Sequence, residues 1–263
     1  MRINRKELTI SGLQKSYRFL QIADTHVGRA GLTRNGITSA ERLEELIRCA
    51  DRAKLSGVLL TGDILDDPSE ENLEFLETLL NSLSVPWMYV PGNHDWSYPE
   101  NYHTAYAIKE LRPLLRPFCC DPEQLQIKRI GELIFVGTDN SMDMYPRGTA
   151  KQLQEILRNN EENPVIFLQH IPFACGTLAE ASMQRWGMDL TLGNNLPEQG
   201  GCRESFEDGR EVIREMITGA NTVKAVLCGH VHVDHKDMLS GKIPQYVAPE
   251  GCFGEAALLE IHG

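Results

Sequence analysis

Aspartate, asparagine and histidine recur in this chain in one kind of place. Asp24-Thr25-His26, Gly62-Asp63, Gly92-Asn93-His94-Asp95, His170 and Gly229-His230-Val231-His232 each follow directly on a short apolar run. Carboxylate oxygens and imidazole nitrogens bind cations, and imidazole also takes and gives protons near neutral pH. Mixed nitrogen and oxygen ligation without thiolate suits Mn²⁺, Fe or Zn²⁺ better than Ca²⁺ or a cysteine-held structural zinc. Residues two apart in an extended segment point the same way. Asp24 with His26, and His230 with His232, can therefore each aim both side chains into one site. A glycine just before a ligand lets the backbone turn sharply. Each motif alone is common as a structural feature; the five in series point to one metal site.

The segments between them supply the frame. Residues 8–10, a Ser11-Gly12 turn and residues 17–22 read as an opening strand, a turn and a core strand that runs into Asp24. Thr38 opens a helix with Glu41 as its capping-box partner. Leu43, Leu46, Ile47 and Ala50 form its apolar stripe, and Gly57 is its expected stop. Residues 58–60 form the strand before Asp63. Asp67-Pro68-Ser69-Glu70 starts a second helix, with an N-cap, proline at the first position and Glu at the third. Leu73, Leu76, Leu80 and Leu83 line it. Residues 87–90 are a buried strand broken by Pro91-Gly92. This β-α-β-α-β order, with connections long enough for right-handed crossovers, predicts parallel strands that carry ligands at their carboxyl ends.

Further along, residues 101–115 read as helical up to Pro113, and 125–136 as a hairpin through Gly131-Glu132. A helix is expected from Thr149 to Arg158 with Gln152 closing a capping box. A strand at 164–169 leads into His170. Residues 174–204 have no clear period and read as a functional loop or lid. A helix at 205–218, a strand at 223–228 and short antiparallel strands at 236–239, 245–247 and 257–261 complete the chain.

Bulk properties narrow the classes. The chain has 263 residues, 41% of them apolar and 24% charged, which suits one large domain over 1–263 with a sizeable core. No apolar run approaches a membrane span, and no apolar segment follows the basic residues at the start, so neither a span nor a secretory leader is expected. Seven cysteines without a CxxC pair read as reduced thiols, and the expected location is cytoplasmic. A net charge of −11 disfavours a broad nucleic-acid-binding face. It disfavours a single anionic substrate group less, because two bound divalent cations add about four positive charges at one point.

The ordered series Asp-x-His, Gly-Asp, Gly-Asn-His-Asp, His and Gly-His-x-His resembles the signature of the calcineurin-like metallophosphoesterase superfamily. It covers residues 24 to 232. The resemblance implies an α/β fold, a four-layer α/β/β/α sandwich of two mixed β-sheets with a two-metal centre between the strand ends. Carried over, it implies that Asp24, His26 and His232 hold the first metal, and that Asn93, His170 and His230 hold the second. Asp63 bridges them. His94 faces the phosphate as a charge stabiliser or proton donor, and Asp66 or Asp95 orients it, Asp66 being preferred on the Gly-Asp-x-x-Asp spacing. The implied activity is hydrolysis of a small phosphorylated substrate, mono- or diester. A hydroxide generated between two Mn, Fe or Zn ions about 3.5–4 Å apart is the attacking group.

Departures from the pattern refine this expectation. Asp67-Pro68 follows Asp66 in place of the Arg-Gly of the protein phosphatases. No tyrosine lies two or three residues after Asp63, against the purple, tyrosinate-iron branch. Ile171 follows His170, where many cyclic-nucleotide phosphodiesterases of the family carry a second His. Alternatives are a cyclic-nucleotide phosphodiesterase or nuclease with the same centre, and a non-catalytic scaffold, which the presence of His94 disfavours. Away from the ligands, Arg29 and Arg34 read as solvated loop residues, with contact to substrate phosphate as the alternative, Trp186, Asn194 and Asn195 as packing or a substrate cap, His103 and His235 as peripheral, and Cys228 as core.

Overall fold

The computed structural model describes residues 1–29, 33, 35–102, 104–121, 124–192, 206–207, 209–219 and 221–263. In chain order the strands and helices are β1 (Arg2–Thr9), β2 (Tyr17–Ile22), α1 (Ser39–Arg52), β3 (Gly57–Thr61), α2 (Glu70–Ser82), β4 (Trp87–Val90), β5 (Gln126–Ile130), β6 (Leu133–Gly137), β7 (Tyr145–Pro146), α3 (Thr149–Asn159), β8 (Val165–Leu168), α4 (Leu178–Trp186), β9 (Phe206–Glu207), α5 (Gly209–Thr218), β10 (Val223–Cys228), β11 (His235–Leu239), β12 (Ile243–Val247) and β13 (Glu255–His262). One sheet has the order β1-β13-β2-β3-β4 and the other β11-β12-β10-β8-β6-β5, with β7 and β9 as a small separate pair. Both larger sheets are mixed. In the first, β2, β3 and β4 run parallel; in the second, β12, β10, β8 and β6 do.

The period of two along the central strands sorts side chains into three apolar layers. Leu20, Val58, Leu60 and Tyr89 face Leu43, Leu46 and Ile47 of α1 and Leu76 and Leu80 of α2. Phe19, Leu59, Met88 and Val90, one residue out of phase, meet Phe135, Ile166, Leu168, Ala225 and Leu227 of the other sheet. On that sheet's far side Ile134, Val136, Val165, Phe167 and Val226 pack against Leu153 and Leu157 of α3 and Val212 and Met216 of α5. The layers are therefore helix, sheet, sheet, helix, and the central strands are apolar on both faces because both faces are covered. Cys228 lies in the third layer, as expected of a core thiol. The six described cysteines are all free.

Several local expectations change. The opening strand starts six residues earlier than expected, and β1 does not pair with β2: β13, from the far end of the chain, lies between them, parallel to β1 and antiparallel to β2. The segment at 257–261 thus belongs to the first sheet, whereas β11 and β12 form the expected antiparallel pair in the second. Helix α1 stops at Arg52; Gly57 opens β3 instead, where a Cβ would come 2.7 Å from the carbonyl of Pro86. The second helix begins at Glu70 with Ser69 as N-cap, two residues later than expected, and Asp67 Oδ1 accepts the Ser69 N–H. At α3 the Thr149–Gln152 capping box does not form. Thr149 Oγ1 donates to the carbonyl of Pro146, three residues back, and Gln152 Oε1 accepts from the distant Leu125 N–H, so other partners take both groups. Among the described residues of 101–115, a π turn at Ala107–Leu111 passes into a 3₁₀ turn at Arg112–Leu115 that contains Pro113, rather than one helix ending at that proline. Within the expected loop 174–204, residues 178–186 form α4; residues 193–205 lie outside the described residues.

The Thr38 capping box does form: Thr38 Oγ1 accepts the Glu41 N–H at 3.2 Å, and Glu41 Oε2 accepts the Thr38 N–H at 2.7 Å. Thr38→Ala is expected to lower folding stability by about 0.5–2 kcal/mol. Urea unfolding measures it; an unchanged midpoint means the box contributes nothing.

Candidate metal centre

Five parallel strands, β2, β3, β4, β8 and β10, end on the same edge of the two-sheet stack, and each is followed within three residues by a predicted ligand. Backbone pairing continues past the strand ends and holds these turns together. Asp24 N–H donates to Gly62 O and His26 N–H to Asp63 O, both at 3.0 Å, and Gly229 N–H to His170 O at 2.9 Å. The two sheets are joined at the site itself, because His230 N–H donates to the Asp24 carboxylate at 3.0 Å.

Asp24, His26, Asp63, His230 and His232 all have left-handed backbone, with φ between +46° and +74°. Asp24 with His26 and His230 with His232 therefore do not converge as neighbours on an extended strand. Such conformations cost about 1–3 kcal/mol each and persist where the surrounding structure imposes them. Among the preceding glycines only Gly62 has positive φ. Gly92 and Gly229 are small for a different reason: a Cβ would come 2.2 Å from Asp63 Oδ1 in one case and 2.6 Å from Ala23 Cβ in the other.

Among the described residues four overlapping donor groups form. His26 with Asp63 and His94, and His232 with Glu250 and Cys252, overlap two that share no residue: Asp24 with His26 and His232, and Asp63 with His170 and His230. The two histidines of Gly229-His230-Val231-His232 are thus divided between them. In the first group His26 Nε2 lies 3.3 Å from His232 Nε2, which is 3.5 Å from Asp24 Oδ1. In the second, His170 Nε2 lies 3.2 Å from both Asp63 Oδ2 and His230 Nδ1. Asp63 Oδ2 is also 3.9 Å from His26 Nε2, which places this carboxylate between the groups. Outer partners hold the rings. His26 Nδ1 is 3.0 Å from Asp66 Oδ1, and His170 Nδ1 donates to the carbonyl of Thr61 at 2.8 Å. Each such partner places a proton on one ring nitrogen and turns the other lone pair inward.

His94 N–H donates to Asp63 Oδ1 at 2.9 Å, and its ring centre lies 4.7 Å from that of His26, so it stands beside the bridging carboxylate and the first group. Asn93 Nδ2 donates to Tyr102 Oη at 2.7 Å, while its Oδ1 is buried without a hydrogen-bond partner. An unpartnered buried amide oxygen one residue before His94, whose N–H holds Asp63, fits a cation, and so does the nitrogen and oxygen donor set.

His94 Nδ1 is 3.3 Å from Asp66 Oδ1, so Asp66 stands between His26 and His94. Asp95 is placed differently. Its carboxylate accepts backbone N–H groups of Gly92 at 2.6 Å, Leu65 at 2.7 Å and Asp63 at 2.9 Å. It braces two of the turns and is no partner of the His94 ring.

The charges follow from this packing. Burial pushes the Asp24 carboxyl up, and burial with the nearby Asp63 charge pushes Asp95 up to about 6. Burial also acts upward on Asp63, but His170 and His94 override it and hold Asp63 well below the carboxylate range. Burial alone lowers a histidine, yet the Asp63 carboxylate raises His170 to about 10 and, with Asp66, raises His94.

Some functional candidates escaped sequence reasoning. Glu250 Oε2 lies 3.5 Å from His232 Nδ1, and Tyr102 holds Asn93. Glu250 follows β12 and precedes Gly251, so the same strand-end rule applied once more marks it; no local pattern marks Tyr102. Trp186 does stand at the site, its ring 5.2 Å from that of His232. Arg29 is half-exposed and 3.9 Å from Asp66. His235 lies away from the donor groups, near Asp237 and Thr177. Arg34, His103, Asn194 and Asn195 lie outside the described residues.

The family model described as calcineurin-like phosphoesterase matches residues 17–234, and the chain belongs to that family. It is a phosphoric ester hydrolase, and the family together with the donor groups implies a dinuclear metal centre. The chain is 24% identical over 249 residues to the 3',5'-cyclic adenosine monophosphate phosphodiesterase CpdA of Vibrio vulnificus, covering 91% of this chain and 78% of that one. It is 23% identical to the "Probable glycerophosphodiester phosphodiesterase GpdQ" of Arcobacter nitrofigilis, over 81% of this chain and 71% of that one. A crystal structure of a dimetal phosphatase from Danio rerio shares the fold with a TM-score of 0.59 at 14% identity, covering 90% of this chain and 88% of that one. Among the described residues no helix is long and apolar enough to cross a membrane.

Proposed function

We propose that the chain hydrolyses a small phosphodiester at a centre of two Mn, Fe or Zn ions. Asp24, His26 and His232 would hold one ion and Asn93, His170 and His230 the other, with Asp63 shared between them. The observation that carries this reading is the pair of adjacent donor groups with the Asp63 carboxylate between them. A metal pair there supplies positive charge to the phosphoryl oxygens and acidifies a water for attack on phosphorus. His94 gives a proton to the leaving oxygen, and Asp66 holds its ring and favours its charged form. Asn93, being neutral, limits the negative charge around its ion. The whole chain acts as one unit, with α4 standing beside the site through Trp186; residues 193–204 of the expected lid lie outside the described residues.

Preference for a diester is supported by the names of the relatives above. After Mn²⁺ reconstitution, turnover of bis-p-nitrophenyl phosphate is expected to exceed that of p-nitrophenyl phosphate; the reverse order makes the chain a monoesterase. A 3',5'-cyclic nucleotide is a second reading, favoured by the cyclic AMP phosphodiesterase name and opposed by Ile171 after His170.

Metal retention should depend on pH. His170, raised to about 10 without metal, carries a proton through the neutral range that a cation must displace. Affinity therefore rises with pH up to that value, by about tenfold per unit for one displaced proton, and falls as pH drops. Metal content after dialysis at graded pH measures this, and a flat profile removes His170 as a ligand.

A further inference from the structure

Helix α4 ends against the turn that carries His230 and His232. Trp186 Nε1 donates to the carbonyl of Val231, the residue between them, at 2.9 Å, and its ring meets that of His232 edge-on. Arg185 stacks its guanidinium 4.5 Å from the centre of the Trp186 ring and places Nη2 3.0 Å from Glu250 Oε2. The same Glu250 oxygen is 3.5 Å from His232 Nδ1. Glu250 is itself held close to the ligands, because Gly251 N–H donates to Ala23 O and Cys252 N–H to Asp24 O, both at 2.9 Å.

We propose that Glu250 is a positioning residue for His232, and that Arg185 holds Glu250, so that the last turn of α4 is the outer wall of the Asp24–His26–His232 metal site. This rests on the reading of His232 as a ligand.

The two edges of the His232 ring are occupied differently. Nε2 faces His26 Nε2 and Asp24 Oδ1, while Nδ1 faces Glu250. A neutral imidazole has one N–H and one lone pair. A carboxylate at Nδ1 fixes the proton there and leaves the Nε2 lone pair for the cation. His26 has Asp66 in this role and His170 has the Thr61 carbonyl, so Glu250 completes a pattern already present at two other rings. Arg185 balances the charge of Glu250 and removes part of its rotamer freedom. Trp186 fixes the turn from the other side through the backbone of Val231. Glu250, His232 and Cys252 also lie close enough together to suggest a cation of their own, but the Arg185 guanidinium at 3.0 Å from Glu250 opposes a second positive charge there.

The test is Mn²⁺ titration of the full-length, metal-stripped protein, with occupancy read by elemental analysis and by electron paramagnetic resonance. Glu250→Ala is expected to weaken one of the two Mn²⁺ sites by about 10–100-fold and leave the other unchanged. Glu250→Gln, which keeps an acceptor oxygen and the side-chain shape, should lose less. Arg185→Ala should weaken the same site less than Glu250→Ala does, and Arg185→Lys should recover part of that loss. Because Arg185 acts through Glu250, the double variant should bind no worse than Glu250→Ala alone. Unchanged titration in both Glu250 variants, or additive losses in the double variant, overturns the proposal. His232→Ala tests the underlying reading separately: retention of both Mn²⁺ ions there removes His232 as a ligand and the proposal with it.

Discussion

His94→Ala is expected to lower kcat by about 10²–10⁴ for a diester with a strongly basic leaving alcohol, while both metal ions stay bound. The His94 side chain is 35% exposed, against 2% for His26, 0% for His170 and 12% for His232, so although it lies within reach of His26 and Asp63 it stands toward the opening. Its link to Asp63 is through its backbone N–H, which the substitution keeps. Its imidazole is raised above its ordinary value: burial pulls it down, but the Asp63 and Asp66 carboxylates prevail and favour the protonated form. A proton donor matters in proportion to the basicity of the oxygen that leaves. The loss should therefore be much smaller for p-nitrophenyl esters, whose leaving group departs without a proton. Steady-state kinetics on a leaving-group series, with metal content measured in parallel, checks this. Equal losses across the series, or loss of metal, would falsify the assignment of His94 as the acid.

Asp63→Asn is expected to affect both metal ions at once and to lower overall metal affinity by at least about 100-fold, the upper end of what removal of an outer partner costs. The substitution keeps the shape of the side chain but removes its charge and one of its two oxygens. Asp63 is nearly fully buried, it lies against histidines of both donor groups, and no other described carboxylate does so at these distances. The brace from Asp95 reaches the backbone N–H of residue 63 and survives, so the turn should keep its shape. A second readout needs no metal. Without the Asp63 charge, His170 should fall from its raised value of about 10, which NMR titration of the ring detects. A variant that still binds two ions with native affinity removes Asp63 as the bridge.

Much of the frame was legible because its signals are local. The apolar-rich stretch at 17–22, the continuous apolar runs at 58–60 and 87–90, the capping box at Thr38 and the turn at Gly131-Glu132 are set within a few residues. What misled were residues whose partners lie far along the chain. Gln152 has the right type for a capping box with Thr149, but Leu125, twenty-seven residues away, claims its side chain. The pairing of β1 with β13 joins the two ends of the chain, and no pattern within β1 specifies it. Helix α4 was hidden because only Leu178 and Ser182 among its residues are buried, too few to mark a stripe.

At the site, the sequence by itself determined which side chains are available and that they follow successive strands: Asp24, His26, Asp63, Asn93, His94, His170, His230 and His232. A carboxylate or imidazole at the end of an apolar run is readable from one strand alone. Tertiary structure decided how they are shared. It divided His230 from His232, set Asp66 rather than Asp95 beside His94, turned Asp95 into a backbone brace and brought Glu250 and Arg185 to the outer edge of His232. The reason is physical. Direction here comes from left-handed turns that adjacent strands impose on one another, and those turns exist only once β2, β3 and β10 lie together at one edge of the two sheets.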